Sequence, residues 1–234
     1  MHNGGMCGRY ANFLTQQALV DAFAIATVAD DVRLLPPSWN VAPTQRVPIV
    51  VCPPQDPGSR AAEAARWGLV PSWAKDPSIG SRMINARAET VADKPSFRAA
   101  FAKRRCLLPA SGYFEWHTEA GTKTPHFIHH ADGSPLAFAG LYAWWRDKGV
   151  GDDAPWLLSC TIITTAARGP MRDLHDRQPV MLTADAQQSW LDAHSTPDDL
   201  FAAIDHPAPD LQWHAVDSRV GNVRHNDAAL VEPV

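Results

Sequence analysis

Cysteine is scarce and scattered in this 234-residue chain: Cys7, Cys52, Cys106 and Cys160 form no C-x-x-C pair. That spacing argues against a zinc site and against a dense disulfide framework, and it fits a reducing compartment. No run approaches the roughly 20 apolar residues of a membrane span, and residues 1 to 6 lack the apolar core of a secretory signal. Positive charge is also short, with 21 Lys and Arg against 25 Asp and Glu for a formal net charge of −4. This excludes a protein coated in basic residues but leaves room for a local basic groove. Repeats, low-complexity tracts and any linker-like break between residues 50 and 220 are missing as well. Together the absences predict a cytoplasmic monomer with no membrane partner, metal or cofactor.

What is abundant is proline, 20 residues, and tryptophan, 9 residues. The first implies many fixed turns and the second supplies flat rings for packing or stacking. Helical spacing of Leu19, Val20 and Phe23 behind Thr15 predicts a short helix ending near Ala24. The proline-rich stretch 33–48 is expected to lie extended without regular pairing. Strands are expected over Val47 to Cys52, from Arg66 to Pro71, and over Cys106 to Leu108, Gly112 to His117, Phe127 to His130, Leu136 to Trp145, Pro155 to Thr165 and Leu211 to Val216. Helices are expected over Phe97 to Arg105, Ala184 to Ala193 and Asp198 to Ile204. The sum is a single α+β domain with a sheet at its centre. The triplet Lys103-Arg104-Arg105 has a sufficient explanation in the dipole of the helix it would end, with DNA contact as the less favoured reading.

Chemistry concentrates in a few residues. If Met6 and everything before it are removed, Cys7 presents an α-amine and a thiol on neighbouring carbons, with reference pKa values of roughly 8 and 8.5. The pair can close a thiazolidine on an aldehyde, or the thiolate can attack an amide or ester with the amine as base. The competing reading is an ordinary buried cysteine near a chain end. Glu115, in Gly112-Tyr113-Phe114-Glu115-Trp116, falls on the strand face opposite Phe114 and Trp116. Lining a pocket, it would be raised in pKa and act as an acid or base; facing solvent, it is an ordinary strand residue. His175, before Asp176-Arg177-Gln178-Pro179, is either a neutral-pH proton carrier or a structural histidine. Arg9 and Arg87 are candidate anion clamps, and Asn85 shares a face with Arg87 if that piece is extended. Trp67 and Trp73 are each readable as core.

The ordered motifs Met6-Cys7-Gly8-Arg9-Tyr10, Trp67-Gly68-Leu69-Val70-Pro71-Ser72-Trp73, Asn85-Ala86-Arg87-Ala88-Glu89-Thr90, Arg105-Cys106-Leu107-Leu108-Pro109 with Gly112-Tyr113-Phe114-Glu115-Trp116, Phe138-Ala139-Gly140-Leu141-Tyr142 and His175-Asp176-Arg177-Gln178-Pro179-Val180-Met181-Leu182 resemble the SRAP family. These are SOS response-associated peptidase-like, abasic-site-processing proteins. The resemblance runs from Met6 to about Leu182 and, weakly, through Val220 to Val234. It implies a single domain around a curved, mainly antiparallel, barrel-like sheet with peripheral helices, and a groove for single-stranded DNA containing abasic sites. It implies that Cys7 forms a thiazolidine with the ring-opened sugar aldehyde, that Glu115 and His175 move protons, and that Asn85 orients the reacting groups. Arg9 and Arg87 would hold phosphates, and Trp73, with Trp67, would line the DNA path. Two departures stand out. Met1-His2-Asn3-Gly4-Gly5 precede Met6, so residues 1 to 6 are expected to be a misassigned start or a removed leader before a domain spanning 7 to 234. Gln178 stands where the family usually has methionine, a change expected to matter little.

Three functions compete. Crosslinking to abasic sites in single-stranded DNA requires both the amine and the thiol of Cys7. An N-terminal-nucleophile peptidase or amidohydrolase with self-processing before Cys7 requires turnover of an amide. Non-covalent DNA binding through arginines and tryptophans would leave Cys7 structural.

Overall fold

The computed structural model describes residues 8–151 and 153–234. In chain order the elements are β1 (Tyr10–Asn12), α1 (Gln16–Phe23), β2 (Ile25–Val28), α2 (Asp30–Arg33), β3 (Ser38–Val41), β4 (Arg46–Val51), β5 (Arg60–Trp67), β6 (Asn85–Arg87), α3 (Arg98–Lys103), β7 (Arg105–Ala110), β8 (Gly112–Glu119), β9 (Thr122–His130), β10 (Leu136–Trp145), β11 (Leu157–Ala166), β12 (Arg177–Pro179), α4 (Ala184–Leu191), α5 (Pro197–Asp205) and β13 (Leu211–Ala215). Short 3-10 turns fill several connections. The α+β architecture, with strands in the middle and helices at the periphery, is the one the sequence predicts.

The strands form two sheets rather than one. The first has the order β13-β9-β8-β1-β3 and is antiparallel throughout. The second runs β12-β11-β10-β7-β4-β5-β2, with β6 beside β11, and a parallel pairing of β11 with β5 closes β11-β10-β7-β4-β5 into a five-stranded barrel. Barrel strands bury both faces. Val47, Ile49 and Val51 of β4 join one cluster with Leu108, Phe138, Cys160 and Ile162, whereas Val50 joins another with Leu107, Leu141, Ile163 and the helix residues Leu19, Phe23, Phe101 and Trp190. This explains why the barrel strands read as near-continuous apolar runs instead of alternating ones. Thr15 caps α1 as expected, its hydroxyl accepting from the Ala18 amide at 3.1 Å.

Three sequence expectations are corrected. Within the proline-rich stretch, Ser38–Val41 does pair with β1, with a register shift between Tyr10 and Asn12, since Pro36 and Pro37 precede the strand and leave its amides free to bond. The strand expected from Arg66 to Pro71 instead starts at Arg60 and stops at Trp67. Its alanines carry little strand propensity, but they fit the close approach of β5 to its three neighbours, β4, β2 and β11. Arg105 is not the end of a helix but the first residue of β7, nearly buried, with its guanidinium donating to the carbonyls of Trp190, Phe101, Ala102 and Asp192. Its role is structural, but as a buried donor in β7 and not as the charge at a helix end that the sequence predicts.

Candidate active site

The two sheets meet where β8 passes the loop that leads into β12. Glu115 of β8 is 2% exposed, and Nε2 of His175 stands 3.9 Å from its Oε2. A carboxyl buried to that degree is costly unless partnered, and an imidazole that can take or give a proton is a partner suited to proton transfer. The histidine is oriented by its own chain: the Arg177 amide donates to Nδ1 at 3.0 Å in the tautomer that carries its proton on Nε2, the nitrogen nearer Glu115. The Arg177 carbonyl is also 3.1 Å from Nδ1, ready to accept when the ring is doubly protonated. Residues 175 and 177 thus serve both protonation states with little movement.

Arg177 secures this loop from the other end. Its guanidinium pairs with both carboxylate oxygens of Glu89 and donates to the Thr164 carbonyl at 2.8 Å. Glu89 lies just beyond β6, which carries Asn85 and Arg87 and runs parallel to β11 with Asn85 opposite Ile162 and Arg87 opposite Thr164. On the opposite edge of β11, Arg177 pairs with Ala166. One ion pair therefore locks the strand bearing Asn85 to the loop bearing His175.

Trp73 is placed by a second device. β5 lies along β11 up to Trp67, opposite Cys160; the chain then leaves the sheet and returns as β6 at Ile162. The excursion is pinched at its neck by Gly68 and Gly80. A Cβ on Gly68 would stand 2.5 Å from the Gly80 carbonyl oxygen, and its φ of +130° also disfavours any side chain. Leu69 donates to the Met83 carbonyl at 3.1 Å, and Trp145 Nε1 to the Ala74 carbonyl at 2.8 Å. At the outside of this loop Trp73 is 55% exposed. Arg87 is exposed too, and among the described residues it has no hydrogen-bond or ion-pair partner.

Two expected DNA contacts look different in three dimensions. Trp67 is fully buried, edge-on to Tyr10 at 5.2 Å, with Nε1 donating to the Ile84 carbonyl at 2.9 Å; it is a core residue and cannot touch DNA. Arg9 turns toward the C-terminal segment, donating to Asn40 Oδ1 at 2.8 Å and to the carbonyls of Val220 and Gly221 at 2.8 and 3.2 Å. All three acceptors are neutral, so the charge persists while the side chain is tied down. Cys7 lies outside the described residues.

Residues 6–223 match the family described as SOS response associated peptidase (SRAP). The chain belongs to the SRAP family. "Abasic site processing protein YoqW" of Bacillus subtilis is 37% identical over 230 residues, covering 97% of this chain and 99% of that protein. "Abasic site processing protein YedK" of Escherichia coli is 31% identical, with 98% and 100% covered. A crystal structure of a protein from Bacteroides thetaiotaomicron has a TM-score of 0.84 at 24% identity, covering 97% of this chain and 100% of that one, a likeness of fold.

Sequence reading missed three supports of this SRAP site. The Arg177–Glu89 pair joins residues 88 apart, and no local pattern announces it. Asn40 is 1% exposed and gathers Arg9 with the carbonyls of Val220, Asn222 and His225, again across distant segments. His126, opposite Glu115 in the β8–β9 hairpin, was within reach: the turn residues Ala120 and Gly121 both have positive φ, and counting five residues outward from each pairs the two. Gln178, the departure from the family pattern, is buried and accepts from the Arg168 amide at 2.9 Å.

Proposed function

We propose that this SRAP chain processes abasic sites in single-stranded DNA by joining itself to them through Cys7. The observation that carries the reading is the buried Glu115 beside a histidine whose backbone contacts serve both of its protonation states, within a family whose curated relatives are named for abasic-site processing. In the ring-opened lesion the sugar C1′ is an aldehyde. The Cys7 amine adds to it, the carbinolamine loses water to give an imine, and the thiol adds to the same carbon, closing a thiazolidine with both heteroatoms from Cys7. Each step moves a proton: the amine loses one, the departing hydroxyl gains one, and the thiol gives one to the imine nitrogen. Glu115 and His175 carry these protons. Closing the ring removes the free aldehyde and protects the strand from β-elimination.

Asn85 orients the sugar and the N-terminus, Arg87 and Arg9 provide positive charge for flanking phosphates, and the exposed ring of Trp73 offers a stacking surface for a base. The reactive form begins at Cys7, with residues 1 to 6 absent, because an amide nitrogen at Cys7 cannot form the ring. The deciding experiment uses protein beginning at Cys7 and a single-stranded oligonucleotide with one abasic site. A crosslink that survives denaturation without added reductant is expected, and a Cys7→Ser protein that crosslinks equally well would overturn the thiazolidine. Turnover of a peptide substrate by this protein, or release of residues 1 to 6 by the full chain, with no crosslink, would instead favour the peptidase reading.

A further inference from the structure

Glu115 has a second imidazole across the strand. His126 of β9 is its register partner, so the two side chains leave the same face with Cβ atoms about 5 Å apart, within reach of one bridging water. His126 Nδ1 lies 3.2 Å from the Thr124 carbonyl, which can only accept; Nδ1 therefore carries the proton and Nε2 keeps its lone pair. Nε2 of His175 stands 3.9 Å from the same carboxyl, with Nδ1 held between the Arg177 amide and the Arg177 carbonyl. The carboxyl thus has two imidazoles near it, one on β9 and one on the loop before β12.

His126 also has an outlet. Its ring meets that of His117 edge-on, with centroids 6.2 Å apart, and both line a cavity of about 470 Å³ with Glu119, Thr122 and Thr124 that opens on the hairpin surface. The ionisable groups around His126 are few among the described residues. From β8 they are Glu115, His117 and Glu119; β13 presents Ala215 opposite it, and Lys123 lies over the Trp116 ring. His175 stands 3.9 Å from Glu115.

We propose that His126 is a proton-relay residue acting through Glu115, and that the His126–His117 cavity is where the buried carboxyl exchanges its proton with solvent. The proposal rests on the crosslinking reading above and adds to it a route. When Glu115 has taken a proton from the reacting amine or sugar hydroxyl, that proton passes to His126 Nε2, making an imidazolium whose Nδ1–H stays on Thr124. The imidazolium then releases the Nε2 proton to water or to His117. Only O–H and N–H bonds exchange, and Glu115 is returned as a carboxylate. The route gives a carboxyl at 2% exposure a second exit for its proton besides His175.

The test is single-turnover crosslinking of protein beginning at Cys7 to abasic single-stranded DNA, between about pH 5.5 and 8.5, where a histidine titrates. Wild type, His126→Ala and His126→Gln are compared, each with and without added imidazole, and binding is read separately on DNA carrying a tetrahydrofuran abasic analogue. We expect unchanged binding, His126→Ala slower by about tenfold, less than the roughly hundredfold or more of a group that meets the substrate directly because His126 acts through Glu115, and recovery when imidazole fills the vacated space. His126→Gln, whose side chain cannot carry a proton, is expected to stay slow across the pH range. Wild-type rates in both variants, or a slow His126→Ala that imidazole leaves slow, would overturn the relay. Failure of wild type to crosslink at all would instead overturn the crosslinking reading, and the two failures are told apart by that control.

Discussion

Arg177 grips Glu89 with two nitrogens, and through that grip β6 is fastened to the loop that orients His175. The hydrogen bonds from Arg177 hold the Glu89 carboxyl below its ordinary pKa, with partial burial opposing them. A carboxylate whose folded pKa is depressed contributes stability that is present above its unfolded value, about 4.3, and is lost as pH falls through the folded value. Glu89→Gln is therefore expected to lower stability at neutral pH by about 0.5–1 kcal/mol, a small figure because Glu89 is half exposed. The deficit should vanish in strongly acidic buffer. Denaturant melts at several pH values check this, and a constant deficit would show that lost packing, not charge, is responsible.

Glu115→Gln keeps the shape of the buried side chain and removes its proton affinity. Crosslinking to abasic DNA is expected to slow by about a hundredfold while affinity for the tetrahydrofuran analogue holds. Equal single-turnover rates for the two proteins would take Glu115 out of the chemistry.

How far the sequence reached depends on the range of the physics involved. The short helices, the β8–β9 hairpin and the β10–β11 pair follow from local periodicity and turn residues, and they appear within a few residues of expectation. The closure of the second sheet into a barrel does not follow, because it depends on β5 pairing with β11 across nearly a hundred residues. Among site residues, Glu115 and His175 were legible as types, but their 3.9 Å approach joins separate sheets and no spacing encodes it. Trp67 misled for the opposite reason: six positions separate it from the exposed Trp73, and only the glycine neck between them sends one ring inward and the other out.

That difference between the two tryptophans is measurable. Trp73→Ala should leave the melting temperature almost unchanged and weaken single-stranded DNA binding by about 1–3 kcal/mol, the usual range for one base stacked on an aromatic ring. Trp67→Ala should instead cost about 3–5 kcal/mol of folding stability through the cavity it leaves. Fluorescence-monitored unfolding together with DNA titration of both variants separates the outcomes, and a Trp73→Ala protein with full affinity would remove that ring from the DNA path.

Arg87 offers an exposed cation whose side chain has no hydrogen-bond or ion-pair partner among the described residues, so its contribution to DNA binding should be almost wholly electrostatic. Arg87→Gln is expected to weaken binding evenly across DNA sequences and to reduce the slope of log affinity against log salt by about 0.7, the value for one phosphate on a single strand. Arg9→Gln should behave differently, lowering stability as well, since it releases Asn40 and the carbonyls of Val220 and Gly221. An unchanged salt slope in Arg87→Gln would place the phosphates elsewhere.

The cysteines provide a test that needs no DNA. Burial pushes the Cys160 thiol far above its ordinary pKa, and Cys106 is raised well above it by burial and by the neighbouring Cys160. Cys52 is raised as well, chiefly by burial, with Arg60 opposing. Since alkylation needs thiolate and access, these three should react slowly with iodoacetamide in the native protein at neutral pH. An N-terminal Cys7, with its amine near a pKa of about 8, should react first. A single rapid label is therefore expected by intact mass, located at Cys7 by peptide mapping, with crosslinking lost in step with it. The same mass reads out whether residues 1 to 6 remain, and protein that retains them should take the label yet form no crosslink, because the thiol is then present without the free amine. Rapid labelling at Cys52, or crosslinking by the longer form, would contradict this division of labour.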